Sequence, residues 1–560
     1  MTRVAALQFA SGTNVEENLQ TCLRMIDRAA THDPQIMVLP EFSNHISWYD
    51  DADYARAVSV DLDGEFLNAI AEKAGRHNCY IVINVSLRRS DHLSITSLMY
   101  DPRGQLIAEA DKQTLMGHEN FWFRRADSLS PVVQTELGRL AMFPCRDGVT
   151  FETPRGLALR GAQLFCDSLN SFALDEASLH VPARAPENHC FLAAANKVGP
   201  LIPETLLQSV SEETHIPLEF LYGAGESQIV SPQGDVLAKG PRNEEAVVWA
   251  DIDLSLADNK TRADGTDSFK TRRPELYGPI ALAPEVLAQA PAASVDVACL
   301  VPMSSGRAAM DELRTLVAQL PDTTQIAVVP ELFCQSWPGY EDSSSLIDEL
   351  ASISADHGGL LLCTSLVMPE AEGASLCAVL VDAEGLRFKQ AQLHQSSRFD
   401  NLIPGEQLHT IDLPWGRLAV LTADDMRHPE MTKLAAIAGA DAVLVPGHLL
   451  VDWEATLALP SRAAENRVCL VYACKQATTQ GSLIANLHTD FTLMEPWEHR
   501  EFDGYINQPL ISRMAAGATV LTGRLDLAAA RNKVMSAQTD LIMDRPWQLS
   551  ATLVEEVTGV

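Results

Sequence analysis

The stretch GRLAMFPCRD, Gly138–Asp147, is written again much later as GRLAVLTADD, Gly416–Asp425. The two share Gly-Arg-Leu-Ala at the start and Asp at the end, but Cys145 of the first is Ala423 in the second. Four apolar residues entering a Pro-Cys-x-Asp-Gly turn read as a buried strand that ends by presenting one side chain. Outward from both stretches the same order recurs. RVAALQF (Arg3–Phe9) reads as a strand, and Val15, Leu19, Cys22, Leu23 and Ile26 then fall on one helical face. QIMVL (Gln35–Leu39) runs into Pro40-Glu41. In the second half VDVACLV (Val295–Val301) is the strand, and Met310, Leu313, Val317 and Leu320 line the helix. There QIAVV (Gln325–Val329) runs into Pro330-Glu331.

Farther on, ARAPENHCFLAAAN (Ala183–Asn196) is matched by SRAAENRVCLVYAC (Ser461–Cys474), keeping Arg184/Arg462, Ala185/Ala463, Glu187/Glu465 and Asn188/Asn466. So many matches in register make this a tandem duplication of one α/β domain. The expected boundaries are a first domain over 1–282, an Ala/Pro-rich linker over 283–294, and a second domain over 295–560.

The totals bound the function. With 74 acidic against 42 basic residues the net charge is −32, and no basic run offers a face for nucleic acid or anionic membrane. No apolar run is long enough to span a bilayer, and the opening MTRVAALQFASG turns polar too soon for a secretion signal. Eleven scattered cysteines with no CxxC pair suggest neither a disulfide framework nor a zinc site, so a cytoplasmic setting without metal or cofactor is expected.

Three residues of the first copy carry reactive chemistry. Cys145 suits a nucleophile, Glu41 at a strand end suits a general base, and Lys112 suits an oxyanion stabiliser, with Glu119 a further carboxylate seven residues on. Taken singly, each is as readily a core or rim residue. The duplication separates the readings. The second copy keeps Glu331, Asp425, Glu430 and the segment from Arg462 to Asn466, but has Ala423 for Cys145. Aligning Gly104 with Gly385 puts Leu393 at the position of Lys112. Scaffold positions survive while two of the proposed reactive ones are lost, the pattern of a degenerate copy.

The motifs LPEF (Leu39–Phe42), DKQTLMGHE (Asp111–Glu119) and CRDGVTFE (Cys145–Glu152), in this order, resemble the carbon–nitrogen hydrolase (nitrilase) superfamily. The likeness extends over nearly the whole first copy and, with gaps, the second. It implies two tandem αββα sandwiches that pair within the chain as a pseudo-dimer, with further homo-oligomers open. Carried over, Glu41 is the base, Lys112 the oxyanion stabiliser, Cys145 the nucleophile and Glu119 the additional carboxylate. The implied reaction is cysteine-dependent hydrolysis of a small amide through a thioester, the Cys-x-Asp form resembling amidase-type members. Nitrile or N-carbamoyl hydrolysis and acyl transfer stay open, as does a non-catalytic binding or scaffold role. Arg146, Trp48, Phe121, Trp122 and Ser168 are the expected substrate contacts.

Overall fold

The computed structural model describes residues 1–288, 292–335, 342–475 and 481–556, so positions 289–291 of the expected linker lie outside the described residues. Contacts divide the chain into two compact units, each holding two six-stranded mixed sheets. These are the two tandem αββα domains that the repeat implies.

In the first unit, β1 (Thr2–Gln8), β2 (Ile36–Val38), β3 (Tyr80–Arg88), β4 (Leu93–Tyr100) and β5 (Leu106–Asp111) form one sheet. Its order is β12-β1-β2-β3-β4-β5, with β12 (Ala246–Ile252) added antiparallel at the edge. The second sheet contains β6 (Val132–Gln134), β7 (Arg139–Pro144), β8 (Leu164–Ser168), β9 (Phe191–Ala195), β10 (Gln228–Val230) and β11 (Val236–Lys239), neighbours in that order. In each sheet the three central strands are parallel.

These strands are apolar on both faces because both faces are covered. Val4, Ala6, Ile36, Val38 and Val82 face Leu140, Met142, Leu164, Cys166 and Ala193 of the other sheet. Their alternates Ala5, Leu7, Met37, Ile81 and Ile83 meet Leu19, Cys22, Met25, Ile26, Leu67 and Ile70 from the helices Val15–Ala30 and Glu65–His77. Asn14 caps the first helix by accepting from the N–H groups of Glu16 and Glu17. Burying each such Leu, Ile or Met contributes about 1.5–3 kcal/mol.

The second unit repeats the plan. One sheet contains β13 (Ser294–Leu300), β14 (Thr324–Glu331), β15 (Leu361–Glu370), β16 (Gly373–Asp382) and β17 (Gly385–Ala391). The other contains β18 (Thr410–Leu413), β19 (Gly416–Val420), β20 (Ala442–Gly447), β21 (Cys469–Cys474), β22 (Leu483–Asn486) and β23 (Leu510–Arg513). The strand β24 (Val520–Asp526) flanks β13 as β12 flanks β1.

The compact units do not follow the sequence boundary. The first comprises Met1–Lys260 with Asp490–Asn507 and the chain from Val534 on, and the second comprises Thr261–Thr489 with Gln508–Lys533. The late segments enter the first unit as core. Phe491, Trp497, Phe502, Ile506, Met535 and Leu541 cluster with Val149, Val210, Ile216 and Leu221. Sequence similarity marks where the copies begin, but says nothing about which body a tail packs on. No helix among the described residues is long and apolar enough to cross a membrane.

Candidate active site

Glu41, Lys112, Glu119 and Cys145 come from four different stretches of the first unit. Glu41 follows β2, where Phe42 takes φ +54° and the Glu41 N–H donates to the Leu169 carbonyl. Lys112 follows β5, and Glu119 opens the short helix Glu119–Trp122. The Lys112 ammonium, 1 % exposed, sits 2.8 Å from Glu41 Oε1 and 2.9 Å from Glu119 Oε2. Two buried carboxylates thus share one buried cation, an arrangement tolerated only when every partner stays in place.

The loop that carries Lys112 is held from two sides. The Asp147 carboxylate accepts the N–H groups of Gln113 (2.9 Å) and Thr114 (2.8 Å). Thr539 Oγ1, from the last stretch of the chain, accepts the Gly117 N–H (3.0 Å) and donates to the Leu115 carbonyl (2.9 Å).

Cys145 caps the short helix Arg146–Val149 with φ +42° and ψ −100°, a conformation an L-residue adopts only under strain of about 1–3 kcal/mol. Its N–H donates to Asp167 Oδ1 at 3.0 Å. Ten of the eleven cysteines are buried and Cys145 alone is partly exposed. That combination separates it from a core cysteine.

The electrostatics fit proton transfer. Glu41 is raised to about 7 in all: burial pushes it up, Lys112 pulls it down, and Glu119 pushes it up again. Burial opposes the charge on Lys112, but Glu119 and Glu41 outweigh it and hold the ammonium. The Cys145 thiol is raised well above its usual range by burial and then by Glu41, so it forms a thiolate only by handing its proton to a base.

The other expected contacts are less uniform. Arg146 is buried, and its Nε and Nη1 have no hydrogen-bond partner among the described residues. Ser168 Oγ is spent on the Leu39 carbonyl at 2.8 Å, bracing the strand that leads to Glu41. Trp48 and Trp122 are partly buried in two separate apolar clusters, and Phe121 is 60 % exposed. Sequence reading passed over Glu176, whose carboxyl is raised to about 8 by burial and by Asp175, and which acts electrostatically on Cys145. A signal existed: Glu176 and Glu454 stand at the same distance before Arg184 and Arg462 in the two copies.

The second unit corrects one alignment. Asp425 accepts the N–H groups of Leu393 and His394, as Asp147 accepts those of Gln113 and Thr114. Gln392, not Leu393, therefore stands where Lys112 does. Glu331, Gln392 and Ala423 occupy the three positions, and Glu331 pairs with Arg398. Leu332 keeps the positive φ of Phe42, at +48°. Ala423 instead begins an ordinary helical turn whose Thr422 cap accepts the Asp425 N–H. The backbone is strained at this position only where the thiol is present.

An αββα sandwich that gathers Glu, Lys and Cys at the ends of its strands has the architecture of a carbon–nitrogen hydrolase. The comparisons agree for the first copy: residues 3–261 match the carbon–nitrogen hydrolase family model. It is 28 % identical over 263 residues to a nitrilase of Pyrococcus abyssi, covering 47 % of this chain and 93 % of that one. It is also 28 % identical over 292 residues to the nitrilase and fragile histidine triad fusion protein NitFhit of Caenorhabditis elegans, spanning 49 % of this chain and 61 % of that protein. Among solved structures, the amidase from Nesterenkonia sp. AN1 aligns at 22 % identity over 46 % of this chain and 93 % of its own, with a TM-score of 0.38.

Proposed function

We propose that the first unit is a cysteine amidohydrolase acting on a small amide, with Glu41 as base, Cys145 as nucleophile and Lys112 as oxyanion stabiliser. The observation that carries this reading is the shared buried cation, Lys112 between Glu41 and Glu119, beside the one strained and accessible cysteine. The Cys145 proton passes to Glu41 as sulfur attacks the carbonyl carbon. The oxyanion meets the Lys112 ammonium and the Arg146 N–H. Glu41 returns the proton to the departing nitrogen, leaving a thioester. It then takes a proton from water to release the carboxylic acid and free thiol. Glu119, hydrogen-bonded to Lys112 and to the Met116 N–H, positions the lysine.

Arg146 favours an acyl group that bears a carboxylate. Its guanidinium is buried next to Cys145 with two nitrogens unpartnered among the described residues, whereas the second unit has Asp424 there, ion-paired to Arg398 and Arg427. Leaving such donors unpaired costs about 1–3 kcal/mol, which an anionic substrate group would recover. The relatives named nitrilases keep nitrile hydrolysis as the second reading. Ammonia release from paired amides and nitriles, neutral and carboxylated, tests all three points with Cys145→Ala alongside. Release from nitriles alone would replace the amidase reading. Equal turnover of neutral and carboxylated amides, unchanged by Arg146→Ala, would remove the carboxylate preference.

A further inference from the structure

Each copy opens a π-helical turn with a glutamate, Glu176 in Glu176–His180 and Glu454 in Glu454–Ala458. The two carboxyl groups are used differently. Glu454 takes Arg427 Nε at 2.7 Å and the Leu450 N–H at 2.9 Å. Counting from the shared aspartates Asp147 and Asp425, the position of Arg427 is Val149 in the first copy. Glu176 therefore lacks that cation. Its carboxyl makes no hydrogen bond or ion pair among the described residues, although the residue is only 6 % exposed.

The charged groups that act most on Glu176 are Asp175, Arg146, Glu41 and Arg184. Three of them are spent elsewhere. Asp175 Oδ2 accepts the Asn507 N–H at 2.6 Å, Glu41 holds Lys112, and Arg184 binds Glu187 and the Gly148 and Val149 carbonyls. His180, lowered to about 3 by burial, carries no charge near neutrality. Arg146 is left, with two nitrogens unpartnered among the described residues. The short helix Arg146–Val149 packs on the Glu176–His180 turn, yet guanidinium and carboxyl form no ion pair. Beside Cys145 the first copy thus holds a buried base and a buried acid that do not quench one another. That is costly unless a ligand supplies both partners. The second copy avoids the cost by pairing Asp424 with Arg398 and Arg427, and Glu454 with Arg427.

We propose that Glu176 binds an ammonium group on the acyl part of the substrate, so that, with a carboxylate on Arg146, the site takes zwitterionic amides such as the side-chain amide of an amino-dicarboxylic acid. This rests on the reading of Arg146 and Cys145 given above and narrows its substrate class. The ammonium donates to the Glu176 carboxylate, and Asp175, fastened to the Asn507 N–H, holds the turn that presents it. Glu176, raised to about 8 while it lacks a partner, releases its proton to solvent when the ammonium arrives.

The test is calorimetric binding to the full chain carrying Cys145→Ala. The probes are two matched pairs, succinamate with L-asparagine and glutaramate with L-glutamine, each pair differing by one ammonium. At least one zwitterion is expected to bind about tenfold tighter than its partner. Glu176→Gln, which keeps the shape and removes the charge, is expected to erase that difference. Equal or weaker binding of both zwitterions would overturn the proposal, as would no binding by any of the four or a preference that Glu176→Gln leaves intact. Ammonia release by the wild-type chain from the same four amides tests the amidase reading separately. A Glu176-dependent preference without release would support the ammonium site and remove the amidase reading.

Discussion

Replacing Cys145 with glycine should make the turn around it more stable while abolishing any turnover there. At φ +42° a non-glycine residue carries about 1–3 kcal/mol of strain. Glycine removes that strain but loses about 0.5–1 kcal/mol more chain entropy on folding than alanine. Relative to Cys145→Ala, which keeps a Cβ, Cys145→Gly should therefore gain about 0.5–2 kcal/mol. The second unit supplies an internal control. Ala423 starts a regular helical turn, so Ala423→Gly should lose about 0.5–1 kcal/mol. The same change, alanine to glycine at equivalent positions, is predicted to have opposite signs. Native-state hydrogen exchange on peptides covering 139–159 and 417–437 reads each opening free energy locally. If glycine loosens both turns to the same extent, the strain assigned to Cys145 is not there and the argument that it marks the nucleophile fails.

Four further outcomes are expected. Lys112→Met leaves Glu41 and Glu119 without their shared cation, which should cost about 3–5 kcal/mol in the first unit's unfolding transition. It should also lower kcat by at least about 10²-fold; an unfolding transition that does not move would contradict the shared-cation reading. Because Glu41 must be ionised to accept a proton, kcat/KM should fall as pH drops through about 7. Glu119→Gln removes a charge that raises Glu41, so the acid limb should move to lower pH; a wild-type limb near the ordinary carboxylate range would count against Glu41 as base. Asp147→Ala orphans the N–H groups of Gln113 and Thr114 and should depress kcat more than it raises KM; a change in KM alone would assign Asp147 to binding. Thr539→Val removes one acceptor and one donor from the Lys112–Glu119 loop. It should lower kcat although it lies far away in sequence, and an unaltered rate would show that the loop holds itself.

Much of the fold was legible because the chain states it twice. Apolar runs that stop at Pro40-Glu41 and Pro330-Glu331, and the Gly138 and Gly416 stretches, mark strand ends that both copies share. Glu41, Lys112, Glu119 and Cys145 were found from motif order, and the structure brings the first three within hydrogen-bond distance. The Lys112 equivalent was misplaced by one residue for a geometric reason. The hairpin between β4 and β5 turns at Asp101–Gln105, whereas that between β16 and β17 closes Asp382 directly on Gly385. The second loop is one residue shorter, so its turn glycine is not the counterpart of Gly104. Glu176 escaped notice because it sits in a π-helical turn, which shifts the periodicity that sequence reading relies on. Thr539 could not have been found, since nothing local ties it to a loop more than four hundred residues earlier.

That the first unit draws Phe491, Trp497, Met535 and Leu541 into its core also bears on the order of synthesis. The sheets of this unit are synthesised well before Phe491, Trp497, Met535 and Leu541, which fill one of its apolar clusters. Synthesis of those later segments, rather than completion of the first copy, then becomes the event that closes this cluster and supplies the Thr539 bonds to the Lys112 loop. A chain cut before Phe491 would lack that part of the core however well its sheets had formed.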